Sequence, residues 1–444
     1  MTGIEIGVGS IILIVILIYL GMYIPIALGL VSFVGVWIIR GNVDIAVALL
    51  SESIADAVTE FVFATVPLFA LMGLIVSKAG LGKDVYEVAN FVFYRIRGGL
   101  GIATVAANAI FASITGSSIA SASVFTRVAV PEMKRFGYKS RFTVGVVAGS
   151  SVLGMLIPPS AMLIIYAIVT EQSIGQMFVA GIIPGIILSI AYAILILVLA
   201  YAAPNWVGGM ESKDVAAEDW ARMTWWNLIG KLFPIMLLVV VVLGGIYRGW
   251  VTPVEAGAMG SLAALIIALF KRAMSWDDLW EVLVETGHIT AAILFLIIAA
   301  TMYNRMLGVA GLPTQFGEWL QGMDLELGPI MAIYVVLLLV LGTILDTASI
   351  ILIVVPLFLA ALEAYGVDLV WFGIVTVVGA EIGLLTPPLG ISCFVIKSTI
   401  NDPEISLFDI FAGAFPFAVT MLLVLIILIN FPILSTYLLQ FRLM

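Results

Sequence analysis

Runs of apolar residues long enough to cross a bilayer as helices recur along this chain, from Ile4–Tyr19 to Phe417–Ile433. A soluble protein carries roughly 25% charged residues, whereas here 63% are hydrophobic and only 11% are charged. So few charges cannot cover a water-facing surface, and the fold class that follows is an all-α polytopic membrane protein. Ile4–Tyr19 lacks a basic leader and is followed at once by Gly21–Ile39, so it reads as a retained helix rather than a cleaved signal segment. One cysteine, Cys393, and one histidine, His288, leave no disulfide framework and no Cys/His metal cluster. No basic, aromatic-interleaved patch suggests nucleic acid. The longest polar stretch, Pro204–Lys231, holds Glu211, Lys213, Asp214, Glu218, Asp219 and Arg222 and reads as a loop joining two halves.

The halves resemble each other. Gly116-Ser117-Ser118-Ile119-Ala120-Ser121-Ala122-Ser123 aligns with Gly342-Thr343-Ile344-Leu345-Asp346-Thr347-Ala348-Ser349 at an offset of 226. Phe136-Gly137 and Pro158-Pro159 align with Tyr365-Gly366 and Pro387-Pro388 at 229, and Ala180-Gly181-x-x-Pro184 aligns with Ala412-Gly413-x-x-Pro416 at 232. Four matches in order indicate a repeat, with 1–203 as its first copy, 204–230 as the connecting loop and 231–444 as its second copy.

The first copy offers spans near 4–20, 22–39, 61–79, 140–171 and 177–203. Between 100 and 135 lie two arms of about 16 residues meeting at Gly116-Ser117-Ser118. At 1.5 Å per residue each arm reaches ~24 Å, short of a comfortable crossing of a ~30 Å core, so the segment reads as a re-entrant hairpin. The second copy offers spans near 228–247, 253–270, 289–308, 370–400 and 408–433 and a hairpin over 327–365. Five net crossings per copy, an odd number, invert the second copy relative to the first. Asp44–Glu60 and Trp276–Glu285 are too polar to span and read as amphipathic interfacial helices before the third span of each half.

Charge sets the orientation. Residues 78–141 carry nine cations (Lys78, Lys83, Arg95, Arg97, Arg127, Lys134, Arg135, Lys139 and Arg141) against Asp84, Glu87 and Glu132. Residues 306–370 carry no Lys or Arg but include Glu318, Asp324, Glu326, Asp346, Glu363 and Asp368. The first hairpin should open to the cytoplasm and the second to the outside, with both termini outside.

The informative residues are polar groups at membrane depth. Ser117, Ser118, Ser121 and Ser123 cluster at the first tip, and Thr343, Asp346, Thr347 and Ser349 at the second. Ile157-Pro158-Pro159-Ser160 and Leu385-Thr386-Pro387-Pro388 interrupt the helices of 140–171 and 370–400, because a Pro-Pro pair removes two N–H donors and clashes with preceding carbonyls. Freed carbonyls are tolerated only where they line a cavity, and broken helices in inverted repeats are how secondary transporters hold anions and sodium. The plainer alternatives are close helix packing by small residues and a simple proline kink. A deep carboxyl such as Asp346 or Glu381 marks an ion path by default; the rival is a protonated, hydrogen-bonded structural carboxyl. Arg127 can snorkel to the cytoplasmic interface, and His288 lies at a span's edge. Sodium would sit between each tip and its break: Ser117 or Ser118 with carbonyls around Ile157–Pro158, and Thr343 or Thr347 with carbonyls around Leu385–Thr386. Asp346 would supply negative field or orient the loop.

Gly116–Ser123, Pro131-Glu132-Met133, Ile157-Pro158-Pro159-Ser160, Ala180-Gly181-Ile182-Ile183-Pro184, Leu345-Asp346-Thr347 and Glu381-Ile382-Gly383-Leu384-Leu385-Thr386-Pro387-Pro388-x-Gly390 together resemble the large membrane subunit of the tripartite ATP-independent periplasmic (TRAP) transporters. The resemblance covers essentially the whole chain. It implies an elevator-type carrier in a bacterial inner membrane, working with a small four-helix membrane subunit and a periplasmic binding protein. It also implies sodium coupling, no other cofactor, and organic anions, usually carboxylates, as substrates. By motif position the Gly116–Ser121 tip with Pro158–Ser160, and the Gly342–Thr347 tip with Thr386–Pro388, would form the ion and substrate sites. On that basis Gly116, Ser117, Ser118, Ile157, Pro158, Thr343, Asp346, Thr347, Leu385 and Thr386 are the ion candidates. Ser118, Ser121, Ser160, Thr347 and Pro388 are the substrate candidates. One departure is Ser121-Ala122, where many members carry Asp-Thr.

Three other functions compete, of which a passive channel is disfavoured because a hairpin pair with closed apolar flanks has no obvious continuous polar pore. A stand-alone sodium–dicarboxylate symporter would share the hairpins and need no partners. An intramembrane serine protease needs a histidine facing its serine, and His288 lies at a membrane edge, so no catalytic residues are assigned. The inverted topology is testable in a Cys393→Ala background: a cysteine at Lys139 should react with an impermeant thiol reagent only from the cytoplasmic side, and one at Asp324 only from outside. Labelling of both from one side removes the inverted repeat.

Overall fold

The computed structural model describes residues 2–209, 225–388, 390–400 and 402–441. Apart from one isolated bridge between Tyr138 and Gly208, its regular structure is helical. The first half runs α1 (Gly3–Tyr19), α2 (Ile24–Arg40), α3 (Val43–Thr59), α4 (Thr65–Lys78), α5 (Leu81–Phe93), α6 (Gly99–Thr115), α7 (Ser118–Arg135), α8 (Ser140–Ser151), α9 (Ala161–Val169) and α10 (Ile174–Ala202). The second runs α11 (Trp225–Val239), α12 (Pro253–Phe270), α13 (Trp276–Ala310), α14 (Leu312–Gly322), α15 (Leu327–Gly342), α16 (Thr347–Ala364), α17 (Leu369–Gly383), α18 (Ile391–Thr399) and α19 (Leu407–Asn430). Among the described residues six helices are long and apolar enough to cross a membrane, or seven if Ser140–Leu156 and Ala161–Val169, bent by 41°, count as one broken span. The apolar helices α1, α2, α6, α15 and α17 are shorter, at 15–17 residues. Several starts are fixed by capping boxes, in which an N-cap hydroxyl and an acid three residues on satisfy each other's backbone donors: Thr2 with Glu5, Thr252 with Glu255, Ser275 with Asp278 and Ser406 with Asp409.

Packing sorts the helices into two groups. In one, α13 lies against α2, α3 and α4, α12 lies against α4, and α1 lies against α2. In the other, hairpin helices pack on the interrupted ones, α7 on α8 and α18, α9 on α16 and α17 on α15, and the unbroken helices α10 and α19 pack on α6 and α17. The two halves interlock tightly where α8 crosses α19. A Cβ on Gly413 would overlap the Arg141 carbonyl, one on Gly145 would overlap Gly413, and the Phe417 ring fills the notch left by Gly149. Small residues at a crossing let backbones approach where no hydrophobic effect separates helix from lipid.

Ion pairs gather at two ends. At one, Lys78 meets Asp278 (3.1 Å) and Glu281 (2.7 Å), Arg141 meets Asp409 (2.7 Å), and Lys134, Lys231 and Lys271 meet Asp402, Glu87 and Asp84. The Lys134 ammonium, joined by the Glu404 backbone N–H, holds the Asp402 carboxyl below its ordinary range. At the other end Arg305 meets Glu52 (3.2 Å) and Asp56.

Three sequence expectations need correction. Trp276–Glu285 is not a separate interfacial helix but the beginning of α13, which continues without a break to Ala310. Its polar first turns are held by pairing with Lys78 from α4. The polar stretch 204–231 is not all loop: Trp225–Lys231 is already helical, while 210–224, including Glu211, Lys213, Asp214, Glu218, Asp219 and Arg222, lies outside the described residues. Between third span and hairpin each half also inserts a short amphipathic helix, α5 or α14, packed on a hairpin arm. The α8–α19 crossing predicts that Gly413→Ala destabilises the protein by about 1–3 kcal/mol. Gly29→Ala, where no atom lies within 4 Å of the added Cβ, should leave the thermal midpoint in detergent unchanged.

Candidate functional site

Each hairpin tip is seated on a helix break by backbone-to-backbone contact. At the first tip Gly116 is left-handed (φ +57°), and an added Cβ would stand 2.5 Å from the Pro159 carbonyl oxygen. Ala161 N–H donates to the Gly116 carbonyl (3.4 Å), and a Cβ on Gly154 would lie 2.7 Å from the Ser117 carbonyl oxygen. At the second tip a Cβ on Gly342 would meet Gly383 Cα at 2.9 Å. The Pro158-Pro159 and Pro387-Pro388 peptides are both cis.

The breaks leave acceptors unused. Among the described residues the carbonyls of Ile157, Pro158 and Pro159, and of Leu385, Thr386, Pro387 and Pro388, accept no hydrogen bond. Buried carbonyls otherwise find partners; Pro158, Pro159 and Leu385 are buried while Pro387 and Pro388 are exposed, so bare oxygens stand in the interior mainly at the first break, with Leu385 at the second. Hard oxygen donors of this kind suit a small hard cation.

The sequence-predicted residues divide. Ser118 and Thr347, at the starts of α7 and α16, are both buried and both donate to one carboxylate: Ser118 Oγ to Glu381 Oε2 (2.9 Å) and Thr347 Oγ1 to Glu381 Oε1 (2.7 Å). Glu381 is wholly buried, and its partners are hydroxyls from both halves rather than a basic side chain. Asp346 is the N-cap of α16, accepting from the Ser349 N–H (3.2 Å) and hydroxyl. Ser117 caps α7 through the Ala120 N–H (3.3 Å). Ser160 caps α9 through the Leu163 N–H (3.3 Å) and donates to the Met155 carbonyl. Thr343 and Thr386 hydroxyls are turned to carbonyls of their own segments, Val340 (2.8 Å) and Gly383 (2.9 Å). Ser121 is buried with no partner for its hydroxyl among the described residues, and Pro388 is exposed. His288 is exposed on α13.

A cavity of about 770 Å³ lies between α4 and α13 on one side and the first tip on the other. Its inner end is formed by Gly116, Ser117, Met155 and Pro159, and its lining includes Lys78, Lys83, Glu281 and Glu285. Arg127 also lines it, one face of α7 below Ser117, Ala120 and Ser123, and makes no ion pair among the described residues. Arg127 is exposed and shares this lining with Lys78 and Glu281, a placement compatible with snorkelling to that end. Phe69, Gly73 and Ile289 from α4 and α13 belong to this wall too; no motif in the sequence marks them.

Comparison with known proteins fits this geometry. The model of the tripartite ATP-independent periplasmic transporter DctM component matches residues 11–434. The chain belongs to the DctM family. It is 32% identical over 399 residues to the C4-dicarboxylate TRAP transporter large permease DctM of Pseudomonas aeruginosa, covering 88% of this chain and 89% of that one. It is 28% identical over 385 residues to the isethionate TRAP transporter permease DctMQ of Oleidesulfovibrio alaskensis, covering 86% of this chain and 59% of that one. Its fold is similar to the crystal structure of the Alcanivorax borkumensis YdaH transporter, with a TM-score of 0.61 at 13% identity over 88% of this chain and 89% of that one. The protein is therefore a multi-pass transport permease and not an enzyme.

In this DctM-family permease the tip serines differ in access. Ser117 lines the cavity, whereas Ser121 is fully buried. In a Cys393→Ala background, Ser117→Cys should react with a small membrane-permeant thiol reagent at least tenfold faster than Ser121→Cys, measured by mass shift. Equal rates would show that the cavity does not reach the tip.

Proposed function

We propose that this chain is the large membrane subunit of a sodium-coupled, binding-protein-dependent importer of a small organic anion, a carboxylate being the favoured class. The observation that carries it is the pairing, made twice, of a hydroxyl-bearing hairpin tip with a helix break whose carbonyls have no partner among the described residues. Sodium would be held by Ser117 or Ser118 with the Ile157–Pro158 carbonyls, and by Thr343 or Thr347 with the Leu385–Thr386 carbonyls. Its ligands would be neutral oxygens, with Asp346 acting through the α16 start that it caps. The substrate would enter the cavity at the first tip, where Ser117 and Arg127 are the groups suited to an anion.

The ion-pair clusters support the inverted topology. The end that holds Lys78, Lys134, Arg141, Lys231 and Lys271 is the one that charge assigns to the cytoplasm, and Arg305 with Glu52 and Asp56 falls at the opposite end. Two packing groups, one bearing both tips and both breaks, are what an elevator needs: a carrier body moving against a fixed frame. The frame's lipid-facing helices are the natural seat of the small membrane subunit. The name DctMQ and the greater length of that relative fit a permease joined to such a subunit. The substrate of the Pseudomonas relative favours a carboxylate. Delivery by a periplasmic binding protein completes the reading, with an inner-membrane location and both termini outside.

The test is uptake into proteoliposomes holding this chain and the small subunit, with loaded binding protein outside. An inward sodium gradient should drive accumulation and an inward proton gradient alone should not. Proton-driven, sodium-independent uptake would overturn the coupling ion. Full uptake by this chain without its partners would leave a stand-alone symporter.

A further inference from the structure

Glu381 is the one fully buried carboxylate among the described residues, and it touches both halves of the site. Its two oxygens are used separately, one for the Ser118 hydroxyl of the first tip and one for the Thr347 hydroxyl of the second. A hydroxyl has one proton and two lone pairs. Once the proton is given to the carboxylate, the oxygen facing outward can only accept. Both hydroxyls are thus fixed as acceptors at the first residue of the helix that follows each tip. A group that orients a ligand from behind tunes its affinity for a cation.

The arrangement has no counterpart in the first half. At the repeat offset of 229 the residue matching Glu381 is Val152, and the residue matching Thr347 at 226 is Ser121, whose buried hydroxyl has no partner among the described residues. One carboxylate therefore serves two tips.

We propose that Glu381 is a positioning residue shared by both tips, holding Ser118 and Thr347 in acceptor orientation and making cation occupancy at one tip felt at the other. This rests on the sodium-coupled reading above. A cation drawn to the Ser118 oxygen strengthens that O–H as a donor and pulls the carboxylate toward the first tip. The Thr347 hydroxyl, held by the other oxygen of the same rigid group, must follow. The two ion sites then fill cooperatively, although no side chain of one tip bonds directly to the other.

Glu381→Gln separates this from simple packing. The amide keeps the shape but offers one acceptor and one donor, so one of the two hydroxyls must turn around. In proteoliposomes with the small subunit and loaded binding protein, the variant should raise half-saturating sodium about tenfold and bring the sodium Hill coefficient from above 1 down to 1. Half-saturating substrate at saturating sodium should change less than half-saturating sodium does. Wild-type sodium affinity and Hill coefficient in a well-folded Glu381→Gln would overturn the proposal. Sodium-independent uptake by wild type would remove the coupling-ion reading and this proposal with it.

A second measurement needs no change at Glu381. In a Cys393→Ala background, a cysteine at Ile344 reports on the second tip by its protection from a thiol reagent. Ser118→Ala, in the first tip, should shift the sodium concentration that protects Ile344→Cys by at least threefold. An unchanged protection curve means that the tips are independent, and the proposal fails.

Discussion

A helix broken inside a bilayer sets free carbonyls that lipid cannot satisfy, and the rest of this structure follows from how those breaks are covered. A side chain between tip and break would hold the two backbones apart. The contact surfaces are therefore stripped to backbone: Gly116 on Pro159, Gly154 under Ser117, Gly342 on Gly383. Once tip and break are that close, each hairpin and its broken helix form one unit. Neighbouring helices must then close over that unit, with α10 and α19 across the core and α5 and α14 bracing the hairpin arms. The carbonyls still left open stand beside hydroxyls, where a cation rather than a hydrogen-bond donor can complete them.

The breaks and the tips were legible because their signals are local. Pro158-Pro159 and Pro387-Pro388 cannot continue a helix, and α8 with its following turn, and α17, do end before them. The turn at Gly116 and the cap at Asp346 are equally local. What the sequence could not supply is who meets whom across the halves. Glu381 stood out as a charge at membrane depth, yet its partner Ser118 lies 263 residues away, and no spacing rule joins them. The short helices α5 and α14 were hidden because their charges, such as Lys83, Asp84 and Glu87, resemble loop composition, while their apolar faces pack mainly on the hairpin arms they touch. The run from Trp276 to Ala310 looked like two elements because acids crowd its first turns. Their neutralisation by Lys78 comes from another helix.

The same basic residues do two jobs. Read along the chain they make one end more basic than the other, the asymmetry from which an orientation is read; in the fold Lys78, Lys134, Arg141, Lys231 and Lys271 each reach an acid on a different element of that end. Exposed pairs of this kind contribute little stability, typically about 0–1 kcal/mol each. Their value is geometric, because each joins a residue of one half to a residue of the other and fixes which ends of the two halves lie side by side.

Symmetry of the sequence does not carry through to the site. The cavity reaches the first tip and is bordered by α4 and α13, while the only buried carboxylate among the described residues belongs to the second half and reaches across to the first. Under an elevator mechanism these two asymmetries belong together. A carrier that opens one tip at a time must keep the other closed, and two independent tips would let an ion leave on one side while substrate was exposed on the other. On the proposed coupling, joining Ser118 and Thr347 through a single rigid group would make the loaded state of the closed tip part of the geometry of the open one. Under the proposed sodium coupling, the cavity at the first tip would be a place where substrate waits without breaking the coupling, because the carboxylate that bonds both tips sits behind both.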